Sequence, residues 1–134
     1  MSSLYARATA ILPIIAAASL AGKEGFFYKR DAANLAIAIA AATDIPEGLI
    51  LAVPHSDGLE ISGAVSGGNH GTVRVKLAAN VTDLRKLLTV TATGAVISDA
   101  GTGNRVQVAR PLETGTTDEM IEAVLINPVF IAAA

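Results

Sequence analysis

The chain contains no cysteine and no tryptophan, and Phe and Tyr together make up 4% of it. Without cysteine there is no disulfide, no thiol nucleophile and no thiolate metal site. So few aromatics exclude stacked platforms for nucleobases. Charge is sparse too: Asp, Glu, Lys and Arg amount to 16%, against about 25% in ordinary soluble domains. The formal net charge is −2, and no basic cluster is larger than Lys29-Arg30 or Arg85-Lys86. Direct contact with nucleic acid is therefore not expected. No apolar run reaches the ~18 residues of a spanning helix, so no membrane contact is expected either.

What is present is apolar: 51% of the 134 residues are hydrophobic. A chain of this length forms one domain and buries roughly 68% of its unfolded surface. Few charges on a small chain imply apolar surface covered by a partner or by further copies of itself.

Residues 1–22, MSSLYARATAILPIIAAASLAG, carry the first apolar stretch. Arg7, the run after it and the small residues Ser19-Leu20-Ala21 imitate a secretion signal, but Pro13 breaks the run in its middle. We read residues 1–22 as an extended apolar N-terminal arm packing on a neighbour. The alternative is a secreted or cell-envelope binding module with a signal-like N-terminus. The β-domain then covers residues 23–127, and residues 128–134 form an apolar C-terminal tail. The residues expected at a partner interface are Leu4, Tyr5, Ile11, Leu12, Ile14, Ile15 and Phe27, with Val129 and Phe130 in the tail.

Within 23–127 the pattern is short strands and turns. Residues 25–30, GFFYKR, read as a first strand, with Phe26 and Tyr28 on one face and Phe27 on the other. Residues 35–40, LAIAIA, have helix-favouring alanines, yet their bulky residues recur at every second position, the strand period. Leu35, Ile37 and Ile39 are expected on one face, with the alanines leaving room for a close layer on the other. Strands follow at 49–53, ended by Pro54, and at 59–65. Between them His55-Ser56-Asp57-Gly58 makes a turn. Residues 72–77 are the cleanest strand: Val73, Val75 and Leu77 inward, Thr72, Arg74 and Lys76 outward. Residues 80–86 make a polar connection with room for one helical turn. Further strands are expected around Leu88 and Val90, at 95–97, around Val106 and Val108, and at 120–126, where Asn127-Pro128 stop the chain's last strand. Ala52, Val53, Pro54 and Gly58 reappear in outline as Ala109, Arg110, Pro111 and Gly115, an offset of 57. Two related β-halves would produce such an echo.

No catalytic or metal-binding constellation emerges, so no cofactor is expected. His55 and His70 sit in polar loops and, even with Asp57, fall short of a ligand cluster. Gly101-Thr102-Gly103-Asn104-Arg105 lacks the Lys-Ser/Thr of a phosphate loop and precedes a strand where that motif needs a helix. Glu113, Asp118, Glu119 and Glu122 could supply paired carboxylates, but three of them lie in or beside one turn without aromatics to hold a sugar, so they read as solvated acids. Asn80-Val81-Thr82 fits a glycosylation acceptor, but nothing else in the chain points to that pathway.

The run GTVRVKL at 71–77, LLTV at 87–90 with Thr93-Gly94 after it, VQVARPLE at 106–113 and the strand at 119–125 together resemble the phage capsid cement, or head decoration, proteins. Residues 25–30 and 44–51 resemble that family's opening strand and following turn. The resemblance spans roughly residues 25–127 and departs from the family at Asp83-Leu84-Arg85, where a glycine is usual. It implies a mainly β protein, a small antiparallel barrel or sandwich, with no catalytic residues. It also implies a homotrimer on the outer surface of the virion, bound to the major capsid protein and stiffening the shell without covalent chemistry.

Overall fold

Alternating apolar residues between Gly, Pro and Asp dictate short strands. Strands account for all the regular structure in the computed structural model, which describes residues 10–68 and 71–133. The fold is mainly β, with no helix among the described residues. A first sheet comprises β1 (Ile11–Ile15), β2 (Phe27–Arg30), β3 (Ala36–Ala38), β4 (Gly48–Ala52) and β5 (Glu60–Val65). A second comprises β6 (Val73–Lys76), β7 (Leu88–Val90), β8 (Val96–Ser98), β9 (Arg105–Pro111) and β10 (Met120–Ile131). Both are antiparallel. The first has strand order β1-β5-β4-β2-β3, and the second β6-β10-β9-β7-β8.

These orders are the same order used twice, and the register repeats with them. Ile14 pairs with Ile61 in the first sheet, and Val75 with Ile121 in the second. Tyr28 faces Gly48 and Leu88 faces Ala109. A parallel bridge joins Ala16 to Ala36 and another joins Leu77 to Val96, curling each sheet so that its first strand meets its third. The Asp31 N–H donates to Leu35 O, with Asn34 left-handed at φ 65°. At the matching turn the Thr91 N–H donates to Ala95 O, with Gly94 at φ 91°. Every match holds at an offset of 60 or 61 residues. The chain is thus two copies of one five-stranded unit. The offset of 57 suggested by the prolines and glycines is out of register: Ile50 faces Gly63, and it is Pro111 that faces Ala123.

Each unit closes around equivalent positions. Ile14, Ala16, Leu20, Tyr28, Ala36, Ile50 and Ile61 fill the first. Val75, Leu77, Val81, Leu88, Val96 and Ile121 stand at the matching places in the second, inside a larger core. That core also takes Phe27, Leu49 and Ala64 from the outer face of the first sheet, which packs the units together. Two backbone bonds stitch the seam: Phe27 N–H to Gly94 O at 2.9 Å and Lys76 N–H to Gly25 O at 2.9 Å.

Several expectations need correction. Residues 11–15 are not an arm but β1, paired along its length with β5. The chain's last strand does not stop at Asn127-Pro128: its register with β9 shifts between Leu125 and Val129, and pairing resumes to Ile131. Proline is tolerated there because a bulge needs no ladder donor. In β3 it is Ala36, not Ile37, that is fully buried: it faces the interior of the first unit, where its carbonyl accepts from Ala17 N–H at 3.0 Å. Leu59, the first residue of the strand expected at 59–65, lies outside β5 and is exposed. Residues 80–86 form no helical turn; Val81 pairs with Gly115 instead.

Candidate interaction surface

The backbone of β1 sets which of its side chains are accessible. Val65 N–H donates to Ala10 O and Ala16 N–H donates to Leu59 O. The even-numbered residues of β1 therefore direct their backbone groups at β5, and the odd-numbered ones direct theirs at the open edge. Pro13 is odd, so its missing N–H costs the ladder nothing and denies a donor to any strand adding from outside. Side chains alternate as well. Ile14 points into the first unit and is 4% exposed, while Ile11 and Ile15 point outward and are 46% and 58% exposed. Leu12 shares the inner face with Ile14, but at the open end of the unit it remains exposed.

The second apolar stretch lies past the bulge of β10, where Val129 and Phe130 are both exposed. The turn following β5 links the two places. A side chain added at Gly68 would press on the Ala10 methyl, and one added at Gly67 would collide with the Asn127 side chain. The start of β1 and the bulge of β10 therefore flank one turn.

Of the residues expected at an interface, Ile11, Leu12, Ile15, Val129 and Phe130 lie on the surface. Ile14 and Phe27 do not. Ile14 belongs to the interior of the first unit, and Phe27, 1% exposed, packs into the core between the units. The alternation of a strand places each on the buried side. Leu4 and Tyr5 lie outside the described residues.

The sequence missed how the two copies differ at equivalent positions. Ile11, Pro13 and Ile15 correspond to Thr72, Arg74 and Lys76. The outer face of β6 is thus polar where that of β1 is apolar. Only the register exposes this, since no sequence identity links the two strands.

Several charged groups elsewhere hold turns or join neighbouring strands. Asp44 accepts from Lys29 Nζ at 2.8 Å and from the N–H groups of Ala40 and Ala41, and the Lys29 bond first of all holds its carboxyl below the usual range. Burial raises Asp99, but bonds from Gly101 N–H, Gln107 and Arg105 outweigh it, so its carboxyl also titrates low. Tyr28 donates to Glu47 at 2.8 Å, and burial, reinforced by that carboxylate, raises its phenol far above its ordinary value. Arg85 pulls Asp83 down to about 2 at the surface.

The acids around the β9–β10 turn do the same. Glu119 accepts from Thr116 N–H, Glu113 from Glu122 N–H, and Glu122 from the Thr72 hydroxyl. His55 lies 3.2 Å from Glu60, whereas Asp57 accepts from Leu59 N–H. His70 lies outside the described residues, among which no group of three His, Cys, Asp or Glu could hold a metal ion. No family model, curated protein or solved structure matches this chain.

Proposed function

We propose that this protein is a structural virion component: a decoration subunit that binds the outer surface of a major capsid protein shell, as a homotrimer, and stabilises the shell through non-covalent contacts. The observation that carries this reading is the apolar outer face of β1, Ile11 and Ile15, where the twin strand β6 presents Thr72 and Lys76. A unit that can be built with a polar outer face has been built once with an apolar one. Val129 and Phe130 extend the apolar surface on the other side of the turn following β5. Burying each such side chain contributes about 1.5–3 kcal/mol. Many copies on one shell reinforce each other wherever a subunit touches two capsomers. The resemblance of residues 25–127 to head decoration proteins supplies the class of partner.

The test is addition of the purified protein to phage heads stripped of their outer decoration. The expected result is stoichiometric, saturable binding that raises the temperature at which the heads release DNA. Heads that bind no protein, or that bind it without gaining thermal stability, would overturn the reading.

A further inference from the structure

The two units differ at a second pair of equivalent positions, and there the difference opens a cleft. In the first unit Lys29 lies on the outer face of β2 and is ion-paired with Asp44 at 2.8 Å. In the second, Thr89 takes the place of Lys29, and the loop corresponding to Asp44's carries Asn104. Thr89 is 3% exposed, the one buried polar residue among the described residues. No described residue hydrogen-bonds to its hydroxyl, yet that oxygen is not sealed off.

Thr89 lines a cleft of about 220 Å³ whose wall is largely apolar, with Ile97 from β8, Ala100 from the loop after it and Ala42 from the first unit. Asn104 and Arg105 stand at the same cleft. Arg105 gives Nε to Asp99 and Nη1 to Gly103 O, which fixes the guanidinium in place. The Asn104 amide oxygen accepts from Ala133 N–H at 2.7 Å, which leaves its NH₂ free to donate.

We infer that this cleft is a binding site for a small neutral ligand with a ring-sized apolar body and one hydroxyl, which hydrogen-bonds to Thr89. The volume equals that of roughly seven waters, enough for a ring of cresol size. Water alone would satisfy Thr89 but would lie against Ile97 and the two alanines. A phenol covers those apolar groups and presents its hydroxyl to Thr89 in the same pose. A buried hydroxyl that is otherwise unpaired discriminates strongly between ligands that can and cannot bond to it. The inference does not depend on the proposed shell contact, because no residue of β1 lines the cleft.

The experiment titrates the full-length, isotope-labelled protein with p-cresol and, separately, with toluene, following backbone amide shifts. Saturable shifts confined to Thr89, Ile97, Ala100 and their neighbours are expected for p-cresol, with toluene about tenfold weaker. Thr89→Val, equal in size and lacking the hydroxyl, is expected to remove that preference. Ala100→Phe, at an exposed loop position, is expected to plug the cleft and abolish binding of both probes. Absence of saturable shifts in the parent protein would overturn the inference and leave a water-filled cleft. So would a preference for p-cresol that survives Thr89→Val, or binding unaffected by Ala100→Phe.

Discussion

The first unit closes around Tyr28 and the second around Leu88, at the same position of the same fold. Tyr28 is long, so it reaches the mouth of its unit, where its hydroxyl bonds to Glu47 and Arg30 donates to the same carboxylate. Leu88 ends inside, and its unit is filled by valines and by residues of the neighbouring sheet. The first unit is therefore a small interior closed by a polar lid, and the second is the larger apolar core of the molecule. One strand plan tolerates both because strand order and register are set by the backbone, while side chains decide only how each interior is filled.

The largest effects should separate the two interiors. Ile61 and Ile121 are equivalent and both essentially fully buried. Ile121→Ala is expected to cost about 4 kcal/mol and Ile61→Ala about 3 kcal/mol, within the range for such truncations. The second unit should suffer more because its neighbours are held by both sheets and collapse less into the hole. Chemical denaturation measures both. Equal losses, or the reverse order, would mean that the units do not share the larger core in the way described.

Next comes the residue under each central side chain. Gly63 lies beneath the Tyr28 ring: a Cβ placed there would sit 2.6 Å from the hydroxyl oxygen and 2.9 Å from ring carbons. Its equivalent, Ala123, already carries a methyl, in the same core as Leu88. Gly63→Ala should therefore cost about 2 kcal/mol by overpacking. In a Tyr28→Leu background, which recreates the pair of the second unit, the same change should cost at least ~1 kcal/mol less, since touching sites couple. A double-mutant cycle showing no coupling would refute the steric account.

The ion pairs give a smaller effect with a defined pH dependence. Asp99 is held from three sides and Asp44 by Lys29 and two amides. Both carboxyls titrate below their ordinary 3.8 in the folded protein. A carboxyl depressed by folding stabilises the native state above its unfolded pKa, and that contribution fades as pH falls through the folded value. Stability should thus decline as pH drops below about 4. Asp99→Asn should cost about 2 kcal/mol at neutral pH and Asp44→Asn, whose side chain is more exposed, about 1 kcal/mol. Each should flatten the acid side of the stability profile. An unaltered acid profile in both variants would place the acid sensitivity elsewhere.

Much of this was legible in the sequence, and the parts that were not share a cause. Residues 72–77 alternate so cleanly that both their strand and their buried face were evident. LAIAIA was rightly read as a strand despite its alanines, and one alanine does admit a close neighbour. What the sequence hid was register. The duplication is carried by backbone pairing, whereas its visible echo was a coincidence of proline and glycine three or four residues out of step. Likewise Ile14 and Ile15 look alike on paper, and only the donor pattern of β1 sends one inward and the other to solvent. Pro128 looked like a terminus because a bulge inside a strand reads, in a sequence, like the end of one.

The smallest expected effect on stability is the most informative for function. Ile15→Lys places on β1 the residue that β6 carries at the equivalent position, Lys76. Ile15 is 58% exposed and makes no part of either core, so the change should leave stability within about 0.5 kcal/mol. On the isolated chain the substitution should act as an improvement, since an exposed isoleucine on an open edge favours unwanted association. The same substitution should abolish binding to stripped heads, because a lysine ammonium buried without a partner at an apolar contact costs far more than the contact gains. A loss of binding accompanied by unfolding would leave the outer face of β1 with no special role. A loss of binding at full stability would make Ile15 a residue kept for its partner and not for its own fold.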